Sequence, residues 1–155
     1  MIINIVFALV LQAASPVAER SIFRMPRLGQ CRLSGSTMVT ASGDLPDEVR
    51  LTLQTFFHGD IAEAGGPFNA TDTWIGNPPY PTRRFIRAYR HGSRWIVWYE
   101  AGGRGHSLHA VGVIQRSWQA RPEVDTYARY VGFEGRQLCA ASRAYFEGAM
   151  TSQSD

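Results

Sequence analysis

Four side chains with acid–base or metal-ligating chemistry fall in two short stretches of the sequence: His58, Asp60, His106 and His109. If they converged, they would suit a small hydrolase or a ligand-binding enzyme. Residues three apart on a strand point to opposite faces, so His106 and His109 could share a metal ion only if His106 lies in a turn. The spacing favours one surface and one half-buried histidine. We therefore predict neither metal nor cofactor, and treat the four residues as an alternative polar site.

The sequence contains none of the short motifs that carry nucleophilic or phosphate-transfer chemistry. It has no Gly-x-Ser-x-Gly, no His-Glu-x-x-His and no phosphate loop. All 16 basic residues are arginine, which excludes Schiff-base formation and every other lysine-dependent mechanism. These observations favour a non-enzymatic protein.

Arginine side chains crowd one segment, and their guanidinium groups prefer bidentate partners such as carboxylates and phosphates. The five are Arg83, Arg84, Arg87, Arg90 and Arg94. Alternation along a strand predicts one face of Arg83, Phe85, Arg87 and Tyr89, and an opposite face of Arg84, Ile86, Ala88 and Arg90. Mixed arginine and aromatic faces suit an anionic or acidic partner. The alternative is a solvated sheet face on which arginine stems cover aromatic rings.

Further candidates for a binding surface lie in glycine-rich and proline-rich stretches. The segment 102–105, Gly-Gly-Arg-Gly, could cradle an anion beside Arg104 or simply turn the chain in a hairpin. Trp74 and Tyr80 belong to the long loop 59–82, outside any periodic pattern, as binding residues often do. The predicted partner-binding residues are Arg84, Arg87, Arg90, Arg104, Trp74 and Tyr80.

The first residues have the pattern of an export signal. An apolar run over 2–11, broken only by Asn4, is too short to span a bilayer and is followed by small residues. We predict a signal peptide over 1–18, cleaved after Ala18 or alternatively near Ala14. A buried N-terminal strand or helix is the other interpretation, because no Arg or Lys precedes the run. The prediction places a single domain, 19–155, in the periplasm or outside the cell, without membrane insertion.

The chain has two cysteines, Cys31 and Cys139, and an even count in an oxidising compartment favours one disulfide. Two unrelated free thiols are the alternative. The pair lacks the Cys-x-x-Cys spacing of redox enzymes, so we do not predict a redox role. An exported protein with a net charge of only +3 is also not expected to bind nucleic acid.

Helical and strand periodicities alternate along the remaining chain. Asp44 and Pro46 begin a predicted helix over 46–58, which Gly59 ends. The other predicted elements are a short strand at 36–40, strands at 84–90, 94–100 and 106–115, and a helix at 136–148. The segment 116–135 fits either a short helix from Pro122 and Glu123 or a fourth strand at 127–133.

These elements predict an α+β fold. An antiparallel meander of three to five strands packs against the N-terminal-half helix, and a second helix ends the chain. In pattern this resembles cystatin-like and NTF2-like domains, in which one helix crosses a curved antiparallel sheet. The C-terminal helix departs from both families, so no functional residue is carried over.

Composition and elements together favour one class of function over two others. We predict an exported, non-enzymatic binding or interaction module that uses the 59–82 loop and the Arg-rich hairpin. Its expected partner is an acidic protein or an anionic envelope ligand. The small hydrolase with the His/Asp site and a structural envelope protein are the alternatives.

Overall fold

The computed structural model describes residues 28–71, 79–103, 106–115, 121–130 and 135–148. Within them the fold is α+β, as predicted, with five strands in the sheet order β1-β2-β3-β4-β5 and every neighbouring pair antiparallel. The predicted signal segment lies outside the described residues. The elements are β1 (Thr37–Val39), α1 (Asp47–Phe57), β2 (Arg83–His91), β3 (Arg94–Ala101), β4 (Ser107–Ile114), β5 (Glu123–Tyr130) and α2 (Gly135–Phe146).

Helix α1 forms where the sequence predicts it. Asp47 and Glu48 lie in its first turn, where carboxylates complement the positive end of the helix dipole. The helix ends at His58, which adopts a left-handed conformation (φ 54°, ψ 37°) and donates its amide to the carbonyls of Gln54 and Thr55. The apolar face buries every fourth residue: Val49, Leu53 and Phe57.

The strands β2 to β4 form the meander that the sequence predicts. Gly92 turns the chain between β2 and β3 with φ of 60°, a conformation that glycine adopts without a steric penalty. All eight residues of β4 are buried, because helices cover both faces of the sheet at its centre. The ambiguous segment contains a strand, β5, which begins at Glu123 rather than at position 127.

The sheet separates two apolar cores. On one face α1 packs against Phe85, Val97, Tyr99 and their neighbours. On the other face Leu138 and Tyr145 of α2 pack against residues of β2, β3 and β4: Ile86, Tyr89, Ile96, Trp98, Leu108 and Ala110. The result is three layers, helix–sheet–helix, so the C-terminal helix closes a core of its own.

A β-bulge overturns the predicted alternation along β2. The register against β3 shifts between Phe85 and Arg87, and one extra residue reverses every later side chain. Tyr89 therefore joins the α2-side core with Ile86, whereas Ala88 joins the α1-side core with Phe85. The predicted grouping of Phe85 with Arg87 and Tyr89 is wrong for this reason, because simple period-two counting cannot include a bulge.

The described part of the 59–82 loop is tied to the sheet by backbone hydrogen bonds. The Ala62 amide donates to the Arg83 carbonyl and the Phe85 amide donates to the Ala62 carbonyl, which extends the edge of β2 beyond β1. At Gly102 a Cβ atom would lie 2.0 Å from the carbonyl oxygen of Asn69. Only glycine allows the loop backbone to approach the end of β3 so closely.

Cys31 and Cys139 form a disulfide, as predicted, with a Cα–Cα distance of 5.6 Å. It joins the segment before β1 to α2 across 108 positions of sequence. In the described part of the chain, neither helix has the length and apolar character that crossing a membrane requires.

Candidate functional site

The four residues of the alternative polar site do not meet. His58 and Asp60 are exposed at the end of α1, where Asp60 accepts a hydrogen bond from Gln54. His109 is buried, stacks on Tyr99 at 5.0 Å between ring centroids, and shares a 2.7 Å hydrogen bond with the Ser107 hydroxyl. Among the described residues no group of three or more His, Cys, Asp or Glu side chains is arranged to hold a metal ion.

His106 belongs to a different cluster, on the α2 side of the sheet. Its Nε2 atom lies 3.5 Å from Glu100 Oε2, and its ring is 5.9 Å from the ring of Phe68. Arg84 donates from Nε to the same carboxylate oxygen at 2.8 Å and stacks over Phe68 at 4.3 Å. Arg84 is 4% exposed and Glu100 is 0% exposed, so this ion pair lies inside the protein.

The buried Arg84–Glu100 pair holds the loop rather than an external ligand. Arg84 Nη1 donates to the Gly66 carbonyl at 3.2 Å, so one guanidinium group connects β2, β3 and the loop. Sequence reasoning missed Glu100. The available signal was a carboxylate at the end of an otherwise apolar strand, where only a charged partner compensates its burial.

The other arginines of the hairpin lie over aromatic rings. Arg87 stacks over Trp98 at 5.4 Å, and Arg90 stacks over Trp95 at 5.6 Å. Arg83 lies over Phe57 and Arg94 lies over Tyr145, and each also donates to the carbonyl of the residue beneath it. This is the arrangement of the alternative interpretation, in which arginine stems cover the edges of the core.

Of the remaining predicted binding residues, only Tyr80 lies within the described part of the chain. Tyr80 is 41% exposed beside the start of β2. Trp74 and Arg104 lie outside the described residues.

A pocket of about 410 Å³ opens at the tip of the β2–β3 hairpin, and we call it the basic pocket. Its lining includes two arginines, one histidine and one carboxylate. The lining residues are Arg32, Leu33, Ser34, His91, Arg143, Phe146 and Glu147. They come from the segment before β1, from the end of β2 and from the last turns of α2, so three separate parts of the chain build it.

Packing beneath the basic pocket positions its walls. Leu33 is buried in the α2-side core, and the amide and hydroxyl of Ser36 donate to its carbonyl at 3.2 and 2.7 Å. His91 packs edge-on against Phe146, with ring centroids 5.6 Å apart. Arg32 and Arg143, which come from two of the three segments that build the pocket, are both exposed.

Sequence reasoning missed the pocket arginines because neither stands in a cluster. Arg32 follows Cys31 in an irregular segment, and Arg143 lies on a helix more than a hundred residues away. The one signal that connects them is the predicted disulfide, because Arg143 follows Cys139 by one helical turn.

A second, larger groove of about 700 Å³ lies on the opposite side, between α1 and the start of β5. Leu51, 60% exposed, and Phe56, 36% exposed, line it together with Pro122 and Val124. Its charged lining residues are Glu48 and Arg121. This groove is more apolar than the basic pocket and carries both signs of charge.

Comparison with models of protein families, with curated proteins and with solved structures finds no match for this chain.

Proposed function

We propose that the protein is an exported, non-enzymatic interaction module that binds a carboxylate of an acidic partner protein in the basic pocket. The observation that carries this proposal is the convergence of Arg32, Arg143 and His91 from three chain segments around one opening. Arginine guanidinium groups bind carboxylates through two parallel hydrogen bonds. The basic pocket therefore offers the chemistry that the Arg-rich hairpin suggested, at the tip of the hairpin rather than along its faces.

The charges of the pocket favour a carboxylate over a phosphate. Two arginines and Glu147 leave one net positive charge when His91 is neutral, which balances a single negative charge. A phosphate group carries up to about two negative charges at neutral pH, and the second would meet the Glu147 carboxylate. The apolar side chains of Leu33 and Phe146 suit the methylene groups of a glutamate side chain.

A titration with a capped hexaglutamate peptide tests the proposal. Replacing Arg143 with glutamine removes one charge-assisted hydrogen-bond partner, worth about 1.5–3 kcal/mol, so we expect affinity to fall about tenfold or more. Isothermal titration calorimetry at low ionic strength measures this loss. Arg50→Gln is the matched control, since Arg50 pairs with Asp47 on α1, on the other side of the sheet. Its affinity should stay within about twofold of the wild type.

Two further probes identify the source of the anion. Inorganic phosphate and anionic phospholipid vesicles are titrated under the same conditions. Binding of the vesicles or phosphate but not of the peptide would overturn an acidic protein partner. If the wild type and Arg143→Gln bound the peptide equally well, and near-ultraviolet circular dichroism showed both to be folded, the basic pocket would not be the binding site.

The compartment is part of the proposal. A disulfide is compatible with an oxidising compartment, and the apolar N-terminal run fits a secretory signal. Mass spectrometry of the protein from an export-competent host should find Glu19 as the first residue and no free thiol. An intact Met1 together with two free thiols would contradict export.

A further inference from the structure

The disulfide lies at the junction of the two walls of the basic pocket. Cys31 directly precedes Arg32, Leu33 and Ser34, which form one wall. On α2, residues at spacings of four and seven share a face, so Cys139 lies beneath Arg143 and Phe146 of the other wall. One covalent bond therefore connects the backbone that carries Arg32 to the helix that carries Arg143.

Each wall is anchored to the sheet by separate contacts. The segment before β1 is held by the burial of Leu33 and by a 3.3 Å hydrogen bond from the Tyr89 hydroxyl to the Cys31 carbonyl. Helix α2 is held by a 2.8 Å hydrogen bond from Trp98 Nε1 to the Ser142 hydroxyl and by Arg94, which donates to the Tyr145 carbonyl. Within the described residues the disulfide is the direct covalent link between the walls.

We propose that the disulfide controls the affinity of the basic pocket, so that the oxidised protein binds its acidic partner more tightly than the reduced protein does. This inference rests on the proposed function. Reduction adds two electrons and two protons to the Sγ–Sγ bond of Cys31 and Cys139 and leaves two thiols. A dithiol, such as that of a thiol–disulfide exchange protein, supplies both electrons and protons and becomes a disulfide itself. The protein is the substrate of this exchange and not its catalyst.

The physical basis is the spacing of two arginines that act on one carboxylate. Without the bond, the elements that carry Arg32 and Arg143 are positioned relative to each other through their separate contacts with the sheet. The distance between the two guanidinium groups then varies more, and ordering both on a ligand costs more conformational free energy. Coupling is reciprocal, because any factor by which oxidation raises affinity is also the factor by which the ligand favours the disulfide. Bound peptide should therefore make the disulfide harder to reduce.

The experiment compares the oxidised wild type with the double variant Cys31→Ser/Cys139→Ser, both checked for folding by near-ultraviolet circular dichroism. The probe is the capped hexaglutamate peptide, titrated by calorimetry. We expect the double variant to bind about tenfold or more weakly. On the wild type, the dithiothreitol ratio that reduces half of the disulfide should rise by a matching factor when peptide is saturating. Arg143→Gln should show no such rise.

The outcomes separate the two proposals. If the oxidised wild type binds the peptide and the folded double variant binds within about twofold, the coupling is refuted while the proposed function stands. If the oxidised wild type does not bind the peptide, both are refuted. If the double variant unfolds in buffer, the same comparison is made in trimethylamine N-oxide, which favours the folded chain, and the same criteria apply.

Discussion

Arginine at the hairpin positions combines a permanent charge with a flat group that stacks on aromatic rings. Arg87 and Arg90 lie over Trp98 and Trp95, with the guanidinium carbons 5.4 and 5.6 Å from the ring centroids. A lysine at these positions would present a compact, strongly hydrated charge that stacks less well. The residue type thus serves packing at the surface of the sheet, whereas Arg32 and Arg143 keep their charges available.

Arg84 and Glu100 form an ion pair that is buried on both sides, and the His106 ring lies 3.5 Å from the same carboxylate. Glu100 Oε1 accepts no hydrogen bond from the described residues. Replacing Glu100 leaves the buried Arg84 guanidinium without its carboxylate, and replacing Arg84 leaves the buried Glu100 without its arginine, with the His106 ring 3.5 Å away. We expect Glu100→Leu or Arg84→Met to cost about 3–5 kcal/mol. The double variant should recover most of that loss, because it leaves no charge behind.

Urea denaturation of the four proteins in a double-mutant cycle measures the coupling between Arg84 and Glu100. The control cycle uses Asp47 and Arg50, an exposed pair on α1, whose coupling should be about 1 kcal/mol or less. Losses at Arg84 and Glu100 that simply add in the double variant would contradict the proposed role of the buried pair.

At the residue scale, the sequence predicts those features that can be inferred without knowing which parts of the chain come into contact. The disulfide followed from a cysteine count, which needs no geometry. Glu100 lies opposite Arg84 in the β2–β3 pairing and was missed because the sequence did not show that this end of the hairpin is buried. The basic pocket was missed because its residues come from distant segments. Arg84 was selected for a surface role, yet it is buried against Glu100, its partner across the hairpin, and against Phe68 of the loop, which the hairpin sequence does not contain.

At the scale of elements, one carboxylate connects the loop to the turn that precedes α1. Glu63 accepts hydrogen bonds from the Ser42 hydroxyl, from the Ser42 amide at 2.9 Å and from the Gly43 amide at 3.1 Å. Ser42–Asp44 form a single 3₁₀ turn, whose free amide groups are satisfied in this way. The Ser42 hydroxyl, followed by these amides, lowers the pKa of Glu63 against the opposing effect of burial.

The lowered pKa of Glu63 sets the pH dependence of this contribution. The stabilisation is complete above the unfolded-state pKa of about 4.3 and is lost as the pH falls through the lower folded-state pKa. We expect Glu63→Gln to cost about 1 kcal/mol or less at pH 7, since solvent screens an exposed carboxylate. The difference from the wild type should vanish in acid, measured by urea unfolding from pH 7 to pH 3.

Ser42→Ala supplies the control for Glu63, because it removes the strongest partner of the carboxylate. In that background Glu63→Gln should cost less at pH 7 and show a flatter pH dependence. If the stability of the wild type and that of Glu63→Gln depended on pH in the same way, the carboxylate would not stabilise the turn.

Element prediction succeeded where the signals are periodic and bounded. Helix α1 has a buried residue at every fourth position and acids in its first turn, and the β2–β3 hairpin has a glycine turn between two runs rich in aromatic and β-branched residues. β5 was ambiguous because Pro122 and Glu123 also suit a helix start, and pairing with β4 decides the outcome. The bulge in β2 escaped because it depends on the register against β3 and has no glycine or proline to mark it.

At the scale of the whole molecule, the sheet carries a separate core on each face. The amphipathic patterns predicted both helices, but they did not predict that α2 would close a second layer opposite α1, because face assignment depends on chain connections. The α2-side core contains both cysteines, so its cohesion combines apolar packing with the cross-link. The α1-side core has no such bond, and its contacts do not involve the disulfide.

This asymmetry leads to a prediction for the reduced protein. The disulfide closes 108 positions, and in the chain-entropy model a loop of that size is worth about 4–5 kcal/mol at most, through restriction of the unfolded chain. Domains of this size have a free energy of unfolding of about 5–15 kcal/mol, so the reduced protein should fold but be markedly less stable. Its unfolded chain is also more expanded, so the slope of stability against urea should be steeper for the reduced than for the oxidised protein.

Urea titrations of the oxidised protein and of the reduced, iodoacetamide-capped protein measure both the midpoint and this slope. Hydrogen exchange locates the effect, because local stability differs between parts of one structure. After reduction, amides of α2 should exchange faster than the loss of global stability alone explains. Amides of α1, on the other side of the sheet, should exchange faster only by the amount that the lower global free energy of unfolding causes. If amide exchange accelerated equally in both helices, beyond the loss of global stability, the two cores would not be separate. If the extra acceleration were confined to α2 and to residues 31–36, the cross-link would stabilise the layer that carries the basic pocket.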